Sequence, residues 1–211
     1  MPDVLFNTLL SLVIIFAVLT LFIVSLGWAV GGFKSTNSRK TASKPNIIVT
    51  QTPSQEDVEK SLLEFDAKTW EDFKLLYISH NNFVKNIDAF SDFQMGTLDF
   101  YNCCKEAEEY FQNAALSFDY GTTDDEKTYL SSFEIAALAD QEAAQKLMKY
   151  IDSGKTSYLS DTNEQIQRAK EAFVMIASNR GKLLVRAGLT NEEIAEKVEE
   201  DMAALDEEGS K

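Results

Sequence analysis

The chain has 211 residues, of which 45% are hydrophobic and 26% charged, and its formal net charge at pH 7 is −14. The imbalance lies after Lys44, where 33 acidic residues stand against 16 basic ones, a net charge of −17. A surface this acidic repels phosphates and anionic lipid heads, which disfavours nucleic-acid binding. Residues 45–211 are enough for one domain with its own core.

The N-terminal segment is a predicted membrane span. Val4 to Val30 is almost unbroken apolar sequence without a charged side chain. A helix needs about 20 such residues to cross a hydrocarbon core of ~30 Å. We therefore predict a retained transmembrane anchor at residues 1–33, contacting membrane lipid through residues 4–33. The alternative is a cleaved signal peptide with an exported domain, but the N-terminus carries Asp3 and lacks the basic residues of such peptides.

Basic residues predict the orientation of the span. They all follow it, and juxtamembrane cations tend to remain on the cytoplasmic or equivalent side. The predicted topology is therefore N-terminus out and C-terminal domain in. The juxtamembrane cations are Lys34, Arg39, Lys40 and Lys44.

Small and polar residues within the span predict a packing surface. Gly27 and Gly31 form a G-x-x-x-G pattern, and Ser11 and Ser25 fall near one helical face. Small residues let backbones approach closely, and hydroxyls can hydrogen-bond across such an interface. The alternative is that the two glycines only loosen the end of the helix.

The rest of the chain divides by composition. Residues 34–51 predict a basic, Ser/Thr-rich linker, residues 52–206 an acidic helical domain, and residues 207–211 an acidic tail. No proline occurs after Pro53, so nothing of that kind interrupts helices. Thr52, Pro53 and Gln55 read as the N-cap, first residue and third residue of the first soluble helix.

Apolar residues then recur at alternating steps of three and four, the pattern of helices packed nearly parallel or antiparallel. The connections are short, which favours antiparallel neighbours. We predict an all-α fold in which four main helices form an antiparallel bundle, with a short helix at each end. Thr69, Thr122 and Thr190 are the predicted caps of three helices. The helices are placed at about 53–65, 70–94, 97–118, 123–153, 162–187 and 191–206, and continuity of the second and third through Gly96 stays open.

Three predicted helices each carry one ionisable residue in the apolar seam: His80, Asp140 and Arg180. Helix midpoints lie at similar heights in an antiparallel bundle, so these side chains are expected to form a buried polar layer. Burying one charge alone costs several kcal/mol, whereas a paired set is tolerated and helps to fix helix register. We expect Asp140 to pair with Arg180, with His80 hydrogen-bonded nearby.

No metal or cofactor site is predicted. A di-iron bundle needs two Glu-x-x-His motifs, and the chain has one histidine. Cys103 and Cys104 are adjacent, which lacks the ligand spacing of a structural zinc site. Cys104 is expected to fill space in the core.

The sequence contains no recognised catalytic motif, so we predict a non-enzymatic, single-pass membrane protein. Its helical domain is expected to bind other protein subunits, as an accessory or assembly subunit of a membrane complex. An alternative is a membrane-tethered sensor whose aromatic seams enclose a small apolar ligand. A third is an enzyme with an unrecognised site.

Overall fold

A computed structural model describes residues 54–208, which are helical apart from the connections and contain no strand. The predicted span, the linker, residues 209–211 of the tail and the sites assigned to Ser11, Ser25, Gly27, Gly31, Lys34, Arg39, Lys40 and Lys44 lie outside the described residues. The five helices are α1 (Gln55–Ser91), α2 (Thr97–Ser117), α3 (Asp124–Ser153), α4 (Ser157–Arg186) and α5 (Asn191–Glu208).

Helices α1 to α4 form an antiparallel bundle. Phe83 contacts Phe111 and Phe90 contacts Phe100, so later residues of α1 contact earlier residues of α2, and the two helices are antiparallel. Helices α2 and α3 are antiparallel as well, as shown by the contacts Glu108–Gln145 and Phe118–Phe133. Helices α3 and α4 are antiparallel by the contacts Ser132–Asn179 and Lys146–Asp161. Helix α1 contacts α2 and α4 more extensively than α3, which places α3 diagonally across from it.

The first two predicted helices are one continuous helix of 37 residues, which corrects the predicted break at 65–70. Thr69 is not an N-cap, because its hydroxyl donates within the helix to the carbonyl oxygens of Phe65 and Asp66 at 2.9 and 3.0 Å. Both Asp66 and Thr69 are fully buried. The polar residues that suggested a break are part of the buried face.

Other boundaries shift by smaller amounts. The N-cap of α1 is Ser54 rather than Thr52, and that of α3 is Thr123 rather than Thr122. Helix α4 begins at Ser157, about one turn before the predicted 162. The cap at Thr190 is confirmed, since its hydroxyl accepts from the Glu193 N–H. Helices α1 and α2 are separate, which answers the question left open at Gly96.

Helices α3 and α4 have the closest packing in the bundle. Both helices carry buried alanines that are at most 2% exposed, and small residues allow two helix backbones to approach. Larger aromatic residues fill the space between this pair and the other two helices. The alanines are Ala136, Ala137, Ala139, Ala143, Ala144, Ala169 and Ala172.

Helix α5 packs on the bundle through few residues. Ile194 and Leu205 are its buried apolar side chains among residues 191–205, and it contacts α4 less extensively than adjacent helices of the bundle contact one another. None of the five helices in the described region combines the length and apolar character needed to cross a membrane.

Candidate functional site

An ionic cluster joins α1, α4 and α5. Arg180 donates from Nε and Nη2 to the two carboxylate oxygens of Asp66, at 2.7 and 3.0 Å, and from Nη2 to Asp201 at 2.5 Å. Lys197 lies 3.7 Å from Asp66, and the Trp70 ring lies 4.2 Å from the Arg180 guanidinium carbon. Two carboxylates, two cations and an aromatic face therefore share one small volume.

The charges in this cluster stabilise one another. Burial alone would lower the pKa of Arg180, but hydrogen bonds and charges from Asp66 and Asp201 outweigh it, so the pKa is raised. The guanidinium is therefore permanently charged. A buried pair of this kind fixes how helices register against each other.

A second buried polar pair lies near the middle of the bundle. His80 Nδ1 is 2.9 Å from both carboxylate oxygens of Asp140, and the Phe173 ring centroid lies 5.1 Å from that of His80. Burial raises the pKa of Asp140, opposed by hydrogen bonding and charge from His80 and by the charge of Lys170. Asp140 is fully buried and His80 is 3% exposed, so a substrate would reach the pair only if the bundle opened.

The predicted pairing of Asp140 with Arg180 is wrong, although all three residues of the predicted layer are buried. The structure brings together His80 and Asp140 and places Arg180 with Asp66 and Asp201 instead. Phe173 is the α4 residue level with His80, and Arg180 lies seven residues beyond it, about 10 Å along the helix axis. The predicted helix break had hidden Asp66 as a partner for Arg180.

Tyr129 carries one of two buried polar side-chain atoms in the described region that lack a hydrogen-bond partner, the other being Oε1 of Gln165. It is 1% exposed, and its hydroxyl makes no hydrogen bond of good geometry. Burial raises its pKa, and the charges of Arg180 and Asp66 and the nearby Thr69 act on it more weakly. This lone hydroxyl does not form a catalytic arrangement with its neighbours.

The cysteines lie apart from these polar clusters. Burial raises the pKa of Cys104 to about 12, with a further contribution from Cys103, whose own pKa is also raised. Thiols whose pKa is raised carry little of the nucleophilic thiolate at neutral pH. Across residues 54–208, no group of three His, Cys, Asp or Glu side chains is placed to hold a metal ion.

Two recesses in the described region are open grooves rather than enclosed cavities. One, of about 390 Å³, lies between α3 and α4 and is lined mainly by polar side chains, including Gln141, Lys149 and Arg168. The other, of about 270 Å³, lies between α1 and α2. Of the two, only the second is predominantly apolar.

The α1–α2 groove is bordered by exposed apolar side chains. Leu75 on α1 is 63% exposed and Tyr110 on α2 is 39% exposed. The buried Leu76 and the half-buried Phe118 also line it, and Asp72 adds a carboxylate. An apolar groove of this kind can receive the apolar face of an amphipathic helix.

The connection between α1 and α2 exposes a second apolar element, called here the tip (residues 92–98). Phe93 is 96% exposed and Leu98 is 73% exposed. Phe93 has φ of 59° and is the one non-glycine residue of the described region with positive φ. The left-handed conformation costs a residue with a side chain roughly 1–2 kcal/mol.

Comparison with known proteins gives no relative. No family model, curated protein or solved structure matches this chain.

Sequence reasoning missed several of these features. The partners of Arg180, namely Asp66, Asp201, Lys197 and Trp70, were not predicted. A signal for Asp66 was present, since it continues the steps of three and four that run through Leu62, Thr69 and Phe73. The exposure of Leu75 and Tyr110 had a signal, because neither lies on the seam of steps of three and four in its helix. The exposure of Phe93 had none, because it continues the step of three from Phe90.

Proposed function

We propose that the chain is a single-pass membrane protein whose helical domain binds another protein, as an accessory or assembly subunit of a membrane complex. The apolar run from Val4 to Val30 and the cations that follow support the membrane anchor and the inward orientation of the domain. No catalytic role is proposed for the buried polar pairs, since both are closed to solvent and complete without a ligand.

The observation that carries the proposal is the α1–α2 groove. Leu75 and Tyr110 border it from two helices, and burying them would release apolar surface from water at ~25 cal/mol per Å². Exposed apolar surface that is contiguous and flanked by polar residues marks interaction sites in soluble domains. The negative net charge of the domain and the carboxylate of Asp72 in the groove favour a partner with a basic helix.

The test uses the full-length protein, extracted from its native membrane in a mild detergent. Leu75→Gln and Tyr110→Gln remove apolar surface from the groove without adding charge. We expect each variant to lose a protein that co-purifies with the parent in fixed stoichiometry. Leu116→Gln is the matched control, because Leu116 is 72% exposed on α2 but does not line the groove.

The result that contradicts docking is equally concrete. If the parent runs as a monomer with nothing bound, or if the partner is retained by both groove variants, the groove is not a protein-binding site. Resistance of the parent to alkaline extraction tests the anchor separately, since a peripheral protein would be released into the soluble fraction.

A further inference from the structure

The end of α1 departs from two general rules for helix C-termini, the first of which α3 and α4 follow with a glycine of positive φ. Helix α1 ends in a Schellman arrangement, in which the Phe93 N–H donates to the Phe90 carbonyl at 3.1 Å and the Gln94 N–H to the Ala89 carbonyl at 2.8 Å. This motif places a left-handed residue just after the helix, and that residue is usually glycine. Helix α3 follows the rule, with Gly154 in this conformation. At the end of α1 the position is occupied by phenylalanine.

The second violation is electrostatic. The C-terminus of a helix carries partial negative charge and is stabilised by cations. The last turn of α1 has no basic residue, and Asp88 and Asp92 lie at this end instead. Asp99, also exposed, lies in the first turn of α2, with its carboxylate against Gly96.

Neither the left-handed backbone of Phe93 nor the aspartates at the end of α1 is stabilised by other contacts within the described domain. The Phe93 side chain is 96% exposed, so the strained backbone is not compensated by packing, and the two aspartates make no ion pair within residues 54–208. Strained backbone conformations and other locally unfavourable features tend to cluster at functional sites. A glycine followed by a lysine would make a more stable helix end.

We propose that the tip inserts Phe93 and Leu98 into an apolar pocket on a partner protein, and that the pocket is rimmed by lysine or arginine. This proposal rests on the proposed docking function and adds a second contact to it. Exposed aromatic residues are the side chains that contribute most when buried at the centre of an interface. Asp88, Asp92 and Asp99 surround the two apolar residues in the sequence and supply the charge that basic rim residues would meet.

Charge also favours a basic-rimmed protein pocket over two other binding partners for the tip, an anionic lipid surface and a second copy of the domain. An anionic lipid surface is repelled by the three aspartates, and a second copy of the domain brings the same excess of negative charge. Helix α1 places the tip about 55 Å from Gln55, measured along 37 residues. The partner pocket is therefore expected far from the point at which the linker joins the domain.

The first experiment separates stability from binding. In the full-length protein, Phe93→Gly is expected to raise the midpoint of thermal unfolding by a few degrees, because glycine adopts positive φ without strain. The same variant is expected to weaken binding of the co-purifying partner by about tenfold or more, as for loss of a buried aromatic anchor. Stabilisation without any loss of the partner would overturn the proposal.

A matched pair controls for the general loss of apolar surface. Leu98 and Leu116 are 73% and 72% exposed and both lie on α2. Leu98→Gln is expected to weaken the complex, whereas Leu116→Gln is expected to leave it unchanged. Equal effects from the two variants would show that the tip has no special role.

The second experiment identifies what the tip touches. A photoreactive benzophenone amino acid replaces Phe93 in one sample and Val174 on α4 in a control sample. We expect a cross-link from position 93 alone, to a segment of another protein that contains lysine or arginine beside apolar residues. The proposal would be overturned by cross-links only to lipid, only to a second copy of this chain, or to a segment without basic residues. The absence of any cross-link from position 93 would overturn it as well.

A charge exchange completes the test. Asp92→Lys is expected to weaken the complex, and Lys→Asp or Arg→Asp in the cross-linked segment is expected to restore binding to that variant. Absence of restoration at every basic residue of the segment would remove the charge argument.

The outcomes of the two proposals are distinguishable. If the groove variants lose the partner and the tip variants retain it, docking stands and the tip proposal fails. If the tip and groove variants all retain it, the docking function fails as well.

Discussion

Arg180 on α4 donates two hydrogen bonds to Asp66 on α1, across 114 residues of sequence, while Trp70 covers the guanidinium. Because both partners are almost fully buried, removal of one leaves the other charged and without its main partner. We expect Asp66→Ala to lower the free energy of unfolding by about 3 kcal/mol, as for other broken buried pairs. Urea unfolding followed by helical circular dichroism measures the change.

An exposed pair on the same helix is the control for this prediction. Lys60 and Glu64 are 3.9 Å apart, with side chains 77% and 71% exposed. Exposed pairs contribute about 0–1 kcal/mol, so Glu64→Ala is expected to change stability by a few tenths of a kcal/mol. An equal effect of Asp66→Ala and Glu64→Ala would show that the Arg180 cluster does not hold the helices together.

The start of α3 predicts a pH dependence. Burial alone would raise the pKa of Glu126, but hydrogen bonds from Thr122 and Thr123 outweigh it and lower the pKa below 4.5. A lowered folded-state pKa means that the unfolded state binds more protons, so stability falls as the pH falls through the folded-state value. Glu126→Gln is expected to be about 1 kcal/mol less stable than the parent at pH 7.

The measurement is the difference in unfolding free energy between parent and Glu126→Gln from pH 7 to pH 3. We expect it to hold above pH 4.5 and to shrink below. A difference that does not vary with pH would mean that the charge of Glu126 does not matter and that only its hydrogen-bonding shape does.

Two glycines predict opposite responses to alanine. At Gly181, inside α4, an added Cβ would meet no atom within 4 Å, so Gly181→Ala is expected to stabilise the domain by about 1 kcal/mol through helix propensity. At Gly121 the added Cβ would lie 2.9 Å from the Lys127 backbone nitrogen. Gly121→Ala is therefore expected to destabilise by about 1–3 kcal/mol. Thermal unfolding of the two variants side by side is the measurement, and a change of the same sign would be inconsistent with this packing.

The two cysteines are expected to react slowly with alkylating reagents. Burial raises the pKa of both thiols, and Cys104 is fully buried. In the native protein at pH 7.5, mass spectrometry after iodoacetamide treatment should show Cys104 unmodified and Cys103 modified slowly. Both should react fully in denaturant, and rapid native modification of Cys104 would contradict its placement in the core.

The helical fold could be read from the sequence because burial follows its periodicity. The seam of α3 predicted from Leu130, Phe133 and Ala137 is buried, and the seams of α2 and α4 are buried or half-buried along their length. Steps of three and four report which side of a helix faces a neighbour, whatever the fold of the neighbours. Val58 shares this spacing with Leu62 and Phe65 at the start of α1 but is exposed, so the rule does not hold there.

The break predicted in α1 arose from assigning Thr69 as the N-cap of a second helix. Asp66 and Thr69 keep the helical step between Leu62 and Phe73, and both are buried. Thr69 satisfies its hydroxyl on the helix backbone, and Asp66 is paired with Arg180. A polar residue at a core position predicts a partner as readily as it predicts a loop, and spacing alone cannot choose between them.

The pairing within the candidate site was beyond the sequence for a related reason. Burial of His80, Asp140 and Arg180 follows from helical phase, but contact between them depends on the relative height of three helices. An error of one heptad moves a side chain about 10 Å along a helix, which is enough to exchange one partner for another. The wrong pairing of Asp140 with Arg180 therefore follows from errors in the predicted helix boundaries, which are the hardest feature to predict from sequence.

The extensive contact between α3 and α4 also bears on how the chain reaches its folded state. The two helices are joined by only three residues, Gly154, Lys155 and Thr156, so bringing them together closes a short loop at little cost in chain entropy. Contacts that are local in sequence form early in folding. The α3–α4 hairpin is therefore expected to be the folding nucleus, and Ala137→Gly should slow refolding, whereas a substitution in α5 should chiefly speed unfolding.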